Sequence, residues 1–183
     1  MRVIAGRFKG RTLKTPTWDG LRPTSDRLRE TLFNVLAPRI QGARVLDVYA
    51  GTGAVGIEAL SRGAVHATFV ESDRRAQALV EENLRRCGIE EGCAIIRASA
   101  ARAFETLRQS SSFEPFDIVL LDPPYDHPAA EALSGVDALV APGGLVVFEH
   151  AKRAPVPESV GPLMRTRDLV SGDSALAFYA CQP

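Results

Sequence analysis

The sequence is poor in the residues that build disulfide-stabilised or zinc-stabilised proteins. It has three cysteines among 183 residues, Cys87, Cys93 and Cys181, with no CxxC pair, so neither a disulfide framework nor a zinc site is predicted. Its three histidines follow no metal-ligand spacing, so we expect no metal. No apolar run approaches the roughly 18 residues of a membrane span. With 45% hydrophobic and 24% charged residues, the composition predicts a soluble, cytoplasmic globular protein, which we expect to be a monomer without contact to a membrane.

The net charge is zero, but basic and acidic residues are segregated along the chain. Residues 1–29 carry eight basic and two acidic side chains, whereas the remainder carries fourteen basic and twenty acidic ones. Apolar residues such as Val3, Phe8 and Leu13 lie between these charges and indicate a segment that packs against something. We therefore predict a small basic N-terminal extension and helix, residues 1–40, that binds a polyanion, attached to a domain of residues 41–183. The candidate phosphate contacts are Arg2, Arg7, Lys9, Arg11, Arg22, Thr24, Arg27 and Arg29.

Short apolar strands alternate with helices after Ala43. A first helix begins after the N-cap residues of 23–26 and is expected to end at Pro38 to Gly42. Strands are predicted at 45–49, 67–70, 94–98, 117–121 and 145–149, and helices at 55–62, 74–87, 100–108 and 129–140. A proline-rich connector, 154–162, precedes a closing hairpin of residues 164–170 and 175–181. This alternation predicts an α/β fold with a mostly parallel sheet covered on both faces.

A glycine-rich turn connects the first strand of this pattern to its helix. Gly51 and Gly53 allow a tight turn and close approach to a ligand, and Gly56 permits close packing of the helix on the strand. Glu71 ends the next strand, where a carboxylate can accept both ribose hydroxyls of a nucleoside. The turn and Glu71 together therefore predict a ligand that contains adenosine. Both a dinucleotide cofactor and S-adenosylmethionine contain this group, so the pattern does not distinguish between them. An unliganded turn is the structural alternative.

The segment Asp122-Pro123-Pro124-Tyr125 distinguishes between these ligands. Two prolines remove two backbone donors, so the turn offers carbonyls that can only accept hydrogen bonds. Asp122 adds a side-chain acceptor, and Tyr125 adds a surface for stacking, worth ~1–3 kcal/mol per base. Such a group of acceptors fits the exocyclic amine of a nucleobase. The structural alternative is a rigid turn with a surface tyrosine.

The chain resembles S-adenosylmethionine-dependent amino-methyltransferases in the Asp-Pro-Pro-Tyr segment and the glycine-rich turn. The stretches 2–11 and 21–34, including Arg-Pro-Thr-Ser-Asp-Arg, resemble one family of them, the RsmD family, over essentially the whole chain. The resemblance implies methylation of guanine N2 in 16S ribosomal RNA of the bacterial small ribosomal subunit. It also implies the Rossmann-like class I fold, with a seven-stranded sheet whose last strand is antiparallel.

The resemblance also implies roles for individual residues. Asp122, Pro123, Pro124 and Tyr125 would position the target guanine. Ser99 lies where related enzymes often carry Asn or Asp. The residues expected to bind the cofactor are Asp47, Tyr49, Ala50, Gly51, Gly53, Glu71, Ser72, Ser99, Ala100 and Asp122.

Three other functions fit part of the pattern. A DNA adenine-N6 methyltransferase uses a motif like Asp-Pro-Pro-Tyr in the same way. Such enzymes usually carry a separate target-recognition domain, and we expect no residues of this chain to form one. A nicotinamide-dependent dehydrogenase would use the glycine-rich turn but gives residues 122–125 no purpose. A non-catalytic RNA-binding module of the same fold would not need the group of acceptors.

Overall fold

A mostly parallel sheet forms the centre of the computed structural model, which describes residues 1–18, 25–124 and 127–181. Within these residues the sheet has eight strands in the order β3-β2-β1-β4-β5-β8-β7-β6. The first five are parallel, and β8 lies antiparallel between β5 and β7. The strands are β1 (Arg44–Val48), β2 (His66–Val70), β3 (Cys93–Ile96), β4 (Phe116–Leu121), β5 (Val140–Ala151), β6 (Ser159–Val160), β7 (Leu163–Ser171) and β8 (Ser174–Cys181).

Helices cover both faces of the sheet, as the alternating pattern predicts. They are α1 (Asp26–Ile40), α2 (Ala54–Ser61), α3 (Arg74–Cys87), α4 (Ala100–Gln109) and α5 (Ala129–Leu133). Side chains of α1, α2 and α3 pack on one face of the sheet, and those of α4 and α5 pack on the other. None of the helices in the described part of the chain is long and apolar enough to cross a membrane. The doubly covered α/β fold and the closing hairpin of β7 and β8 are therefore confirmed.

Two local predictions are corrected by the structure, and the predicted end of the first helix is confirmed. The predicted helix 129–140 ends at Leu133, because Gly135 takes a left-handed conformation (φ 74°) that stops the helix. The first helix ends at Ile40, within the predicted range of Pro38 to Gly42, and Pro38 is tolerated because a proline in the last turn removes only one hydrogen bond. The two-residue strand β6, within the predicted connector, extends the expected seven strands to eight.

The basic N-terminal segment, residues 1–14, packs against α2 and α3. An isolated bridge between Arg2 and Thr12 folds it back on itself. Val3, Phe8 and Leu13 are buried in the same apolar cluster as Ile57 of α2 and Leu84 of α3. The expectation that these interleaved apolar residues pack is confirmed, whereas the boundary between residues 40 and 41 remains a prediction.

A buried carboxylate fixes this segment to α2. Glu58 is fully buried and accepts hydrogen bonds from the backbone N–H groups of Ile4 (2.8 Å) and Ala5 (3.0 Å). Arg62 Nε donates to the same carboxylate at 2.7 Å, and Arg29 Nε lies 4.0 Å from it. The carboxylate therefore satisfies two backbone donors and lies beside two guanidinium groups.

The expectation that Arg29 contacts phosphate is wrong in this structure. Its side chain is completely buried, and its Nη2 donates to the carbonyl of Arg2 (2.6 Å) and to Asp26 (2.8 Å). A buried guanidinium surrounded by such partners holds α1 to the N-terminal segment and cannot reach a nucleic acid. Burial lowers the pKa of Arg29, an effect that Glu58 opposes.

We predict that Glu58→Ala destabilises the protein by about 3–5 kcal/mol, because it leaves buried guanidinium and N–H groups without their acceptor. The free energy of unfolding from urea titration measures this effect. Glu30→Ala, which removes an exposed carboxylate from α1, is the matched control and should change stability by less than about 0.5 kcal/mol. Equal effects of the two substitutions would contradict the anchoring role of Glu58.

Candidate active site

Acidic side chains gather at the carboxyl end of the parallel strands. Asp47 is the fourth residue of β1, Glu71 follows β2 directly, and Asp122 follows β4 directly. Glu149 lies near the end of β5, the parallel neighbour of β4. Open α/β sheets bind their ligands at this edge, so the arrangement indicates a ligand site.

The glycine-rich turn between β1 and α2 takes a conformation that side chains disfavour. Gly51 (φ 56°) and Gly53 (φ 74°) are left-handed, and so is Tyr49 (φ 64°), the one non-glycine residue of positive φ among the described residues. A Cβ at Gly56 would lie 2.3 Å from Cε1 of Phe69, so only glycine allows α2 to pack this closely on β2. The roles predicted for these glycines in turning and packing are confirmed.

Hydrogen bonds hold the Glu71 carboxylate beside the glycine-rich turn. Its Oε2 accepts a hydrogen bond from the N–H of Gly51 (2.9 Å), and its Oε1 accepts one from the N–H of Asp73 (2.8 Å). Gln77 Nε2 donates to the backbone carbonyl of Glu71 at 2.8 Å. Each carboxylate oxygen can accept a further hydrogen bond, so Glu71 is an oriented acceptor pair. Ser72 lies beside it and is exposed.

Asn83 of α3 connects the turn to the N-terminal segment. Its buried amide donates to the carbonyls of Thr52 (2.9 Å) and Lys14 (3.1 Å) and accepts from the N–H of Lys14 (2.7 Å). A single side chain therefore supports both the turn and the end of the basic segment.

Two of the acidic groups have strongly shifted pKa values. Burial, together with the charges of Asp122 and Glu71, raises the pKa of Asp47 to about 8, and a hydrogen bond from the Gly56 N–H (2.9 Å) opposes the shift. Burial and the charge of Asp122 raise the pKa of Glu149 to about 8. Strongly shifted pKa values in a cleft are typical of functional sites.

The turn after β4 lies beside the glycine-rich turn. The N–H of Asp122 points to the carbonyl of Val48 at 3.4 Å, which joins the ends of β4 and β1. Pro123 is buried and Pro124 exposed, and the carbonyl of Pro124 accepts a hydrogen bond from the N–H of His127 (2.9 Å). The ring of Tyr49 lies 6.0 Å from that of His127. Tyr125 lies outside the described residues, so its role stays a prediction.

An apolar cleft opens next to Asp122, between α1 and the sheet. Asp47, Asp122 and Glu149 are among the residues that line this cleft. Its apolar lining comes from two helices and three strands: Leu28, Leu32, Val55, Leu120, Leu121, Val147 and Leu176. The cleft therefore combines an apolar wall with acidic residues.

Other residues predicted from the sequence lie at the edges of this region. Ser99 is the N-cap of α4 and accepts a hydrogen bond from the N–H of Arg102 (3.4 Å), so its hydroxyl hydrogen remains able to donate. Ala50 is buried, and Ala100 is half-buried at the start of α4. The predicted phosphate contacts with exposed side chains are Arg2, Arg7, Lys9, Arg11 and Arg27, whereas Arg22 and Thr24 lie outside the described residues.

Glu149 and the apolar wall supplied by α1 are two features of the cleft that the sequence did not predict. Glu149 ends a predicted strand, as Glu71 does, and that shared position was the available signal. The contribution of Leu28 and Leu32 had no such signal, because their spacing indicates only a buried helix face. No cluster of three or more potential metal ligands occurs within residues 1–18, 25–124 and 127–181.

Comparisons with known proteins identify relatives of the whole chain. Ribosomal RNA small subunit methyltransferase D of Escherichia coli K12 is 37% identical over 182 residues, which cover 98% of this chain and 89% of the relative. The protein of the same name from Haemophilus influenzae is 38% identical over 161 residues, 85% of this chain and 81% of the relative.

Solved structures agree with this comparison. A hypothetical protein of Thermus thermophilus, TTHA0928, has a TM-score of 0.83 at 33% identity, covering 97% of this chain and 98% of its own. TrmN from Thermus thermophilus, with a TM-score of 0.67 and 23% identity, covers 85% of this chain and 48% of its own and shares the fold alone. The family model described as conserved hypothetical protein 95 matches residues 1–180. The chain therefore belongs to this family, the RsmD family that its sequence resembles, and it is a methyltransferase.

Proposed function

We propose that the protein transfers a methyl group from S-adenosylmethionine to the exocyclic N2 of a guanine in 16S ribosomal RNA. The observation that carries this proposal is the position of the Asp122-Pro123-Pro124 turn, which is joined to the end of β1 beside the glycine-rich turn. The names of the relatives support ribosomal RNA of the small subunit as the partner. A protein acting on this RNA would work in the cytoplasm.

The residues of the first two strands fit the proposed cofactor. Glu71 presents two fixed acceptor oxygens, which suit the two ribose hydroxyls of an adenosine. The left-handed Gly51 and Gly53 leave the turn without side chains where a ligand approaches. Ser72, Ser99 and Ala100 would lie along the adenine side. S-adenosylmethionine, when bound, supplies the electrophilic methyl group of a sulfonium.

The residues after β4 fit an aromatic amine. The lone pair of guanine N2 is delocalised into the ring, so the protein has to orient the amine toward the methyl donor. Asp122 accepts one N2 hydrogen, and the carbonyls of the proline turn accept without offering competing donors. Orientation of this kind lowers the activation barrier by ~7–11 kcal/mol when the reacting atoms are held near contact distance. Tyr125 would stack on the base.

The basic segment fits the RNA backbone around the target. Exposed cations of residues 1–14 would contact phosphates, which position the RNA without reading its sequence. The target guanine has to leave its stack to enter the cleft, at a cost of a few kcal/mol. Because residues 1–14 pack on α2 and α3, phosphate contacts would be held in a fixed direction relative to the site.

We predict that Asp122→Ala lowers the rate of methyl transfer roughly 100-fold or more while cofactor affinity stays near that of the unchanged protein, because the amine loses its acceptor. Transfer of labelled methyl to small-subunit particles measures the rate, and calorimetric titration with S-adenosylhomocysteine measures affinity. Asp117→Ala, at the amino end of the same strand, is the control and should retain activity. A near-normal rate for Asp122→Ala would rule out the assigned role.

Glu71→Gln should weaken S-adenosylhomocysteine binding about 10-fold or more, because a neutral amide replaces the charged acceptor of the ribose hydroxyls. Calorimetric titration measures the dissociation constant. Glu81→Gln, which alters an exposed ion pair of α3 with Arg97, should leave it unchanged. Equal dissociation constants for the two variants would be inconsistent with a ribose contact.

The paired substitution Arg7→Ala and Lys9→Ala should weaken RNA binding and reduce its dependence on salt. Each phosphate contact contributes about 0.7–0.9 to the slope of log K against log salt, so the slope should fall by roughly 1.5. Arg102→Ala with Arg108→Ala removes two exposed charges from α4 and serves as the control. An unchanged slope for the first pair would exclude residues 7 and 9 from the RNA interface.

A further inference from the structure

Glu149 is an acid of the cleft that the proposed reaction does not yet use. Along β5, Val147 packs with α1 on one face of the sheet, while Val146 and Phe148 pack on the opposite face. Side chains alternate along a strand, so Glu149 shares the face of Val147. It lies in the cleft with Leu28 and Leu32 of α1, among mostly apolar neighbours.

The register of the sheet brings Glu149 next to Asp122. Leu121 of β4 is paired with Phe148 of β5 in the parallel ladder. Asp122 follows Leu121, and Glu149 follows Phe148. Both of these acidic residues line the same cleft. Glu149 of β5 and Asp122, which directly follows β4, are therefore neighbours across the sheet and line the same cleft.

Guanine has two neighbouring donors on the edge that carries the reacting amine, N1–H and N2–H. Asp122 is the acceptor for N2–H in the proposed function. We propose that Glu149 accepts the hydrogen of guanine N1 beside it and thereby selects guanine over purines whose N1 has no hydrogen. This inference rests on the proposed function and names the specificity-determining residue of its site.

The raised pKa of Glu149 is compatible with two carboxyl groups, those of Asp122 and Glu149, lying close together. The pKa of Glu149 is raised to about 8 by burial and by Asp122, and a hydrogen bond with the Ser174 side chain opposes the shift. Near neutral pH, Glu149 therefore retains a proton before the base enters, and the repulsion between adjacent carboxylates is relieved. A hydrogen bond from guanine N1–H favours the carboxylate, so Glu149 releases its proton to solvent as guanine enters, and the ionised group then acts only as an acceptor.

The test compares two RNA substrates, one with guanine and one with 2-aminopurine at the target position. 2-Aminopurine keeps the amine but carries a lone pair, without hydrogen, at N1. Above the pKa of Glu149, about 8, the unchanged protein should show a kcat/KM for guanine at least ~100-fold above that for 2-aminopurine, because its carboxylate would face the N1 lone pair. In Glu149→Gln, the amide can donate to that lone pair, so the ratio should fall about 10-fold or more.

The comparison of ratios separates recognition of N1 from general damage. 2-Aminopurine also lacks O6, but this difference is the same for both proteins, so a change in the ratio reports the contact of residue 149 with N1. S-adenosylhomocysteine binding checks that Glu149→Gln is folded, and Glu149→Asp should retain the guanine preference. Glu90→Gln, an exposed acid before β3, should behave as the unchanged protein.

Two outcomes overturn the inference in distinguishable ways. If the ratio of kcat/KM for guanine to that for 2-aminopurine is the same in the unchanged protein and in Glu149→Gln, the proposed role of Glu149 is contradicted. The proposed function is not affected by this outcome. Failure of the unchanged protein to methylate the guanine RNA would contradict the proposed function, and this inference with it.

Discussion

Because β1, β2, β4 and β5 run parallel, the carboxyl groups that end or follow these strands meet at one edge of the sheet. The same direction places the two sharp turns, after β1 and after β4, side by side. Gathering acids in a partly apolar cleft disfavours their charged forms, and the raised pKa values of Asp47 and Glu149 are the result. The fold thus creates both the acceptors that an amine needs and the desolvation that strengthens their hydrogen bonds.

The N-terminal segment is coupled to this edge and is more than a charged tail. Glu58 holds its first residues on α2, and Asn83 joins its end to the glycine-rich turn. Arg29 adds a third connection, from α1 to the carbonyl of Arg2. Because α1 also supplies Leu28 and Leu32 to the cleft, the proposed RNA-binding surface and the proposed base pocket are both in contact with this helix.

The sequence predicts the helices, strands and turns of this molecule better than it predicts the burial and the spatial neighbours of individual side chains. Regular strands and the helix Arg74–Cys87 follow from periodicity, and the glycine-rich turn follows from glycines at positions whose left-handed backbone disfavours side chains. The burial of Arg29 cannot be predicted from its charge, because the carbonyl of Arg2 and the carboxylate of Glu58 that surround it come from distant positions in the chain. Glu149 was missed for the same reason, since its position beside Asp122 depends on which strands are neighbours.

The central claim is that this edge of the sheet presents the exocyclic amine of one guanine to a methyl donor. The most direct measurement is mass-spectrometric mapping of ribosomal RNA after small-subunit particles lacking the modification are incubated with the protein and labelled S-adenosylmethionine. The account predicts one labelled nucleotide, a guanine methylated on N2. Label on a ring nitrogen, on a ribose or on adenine, or no label at all, would contradict it.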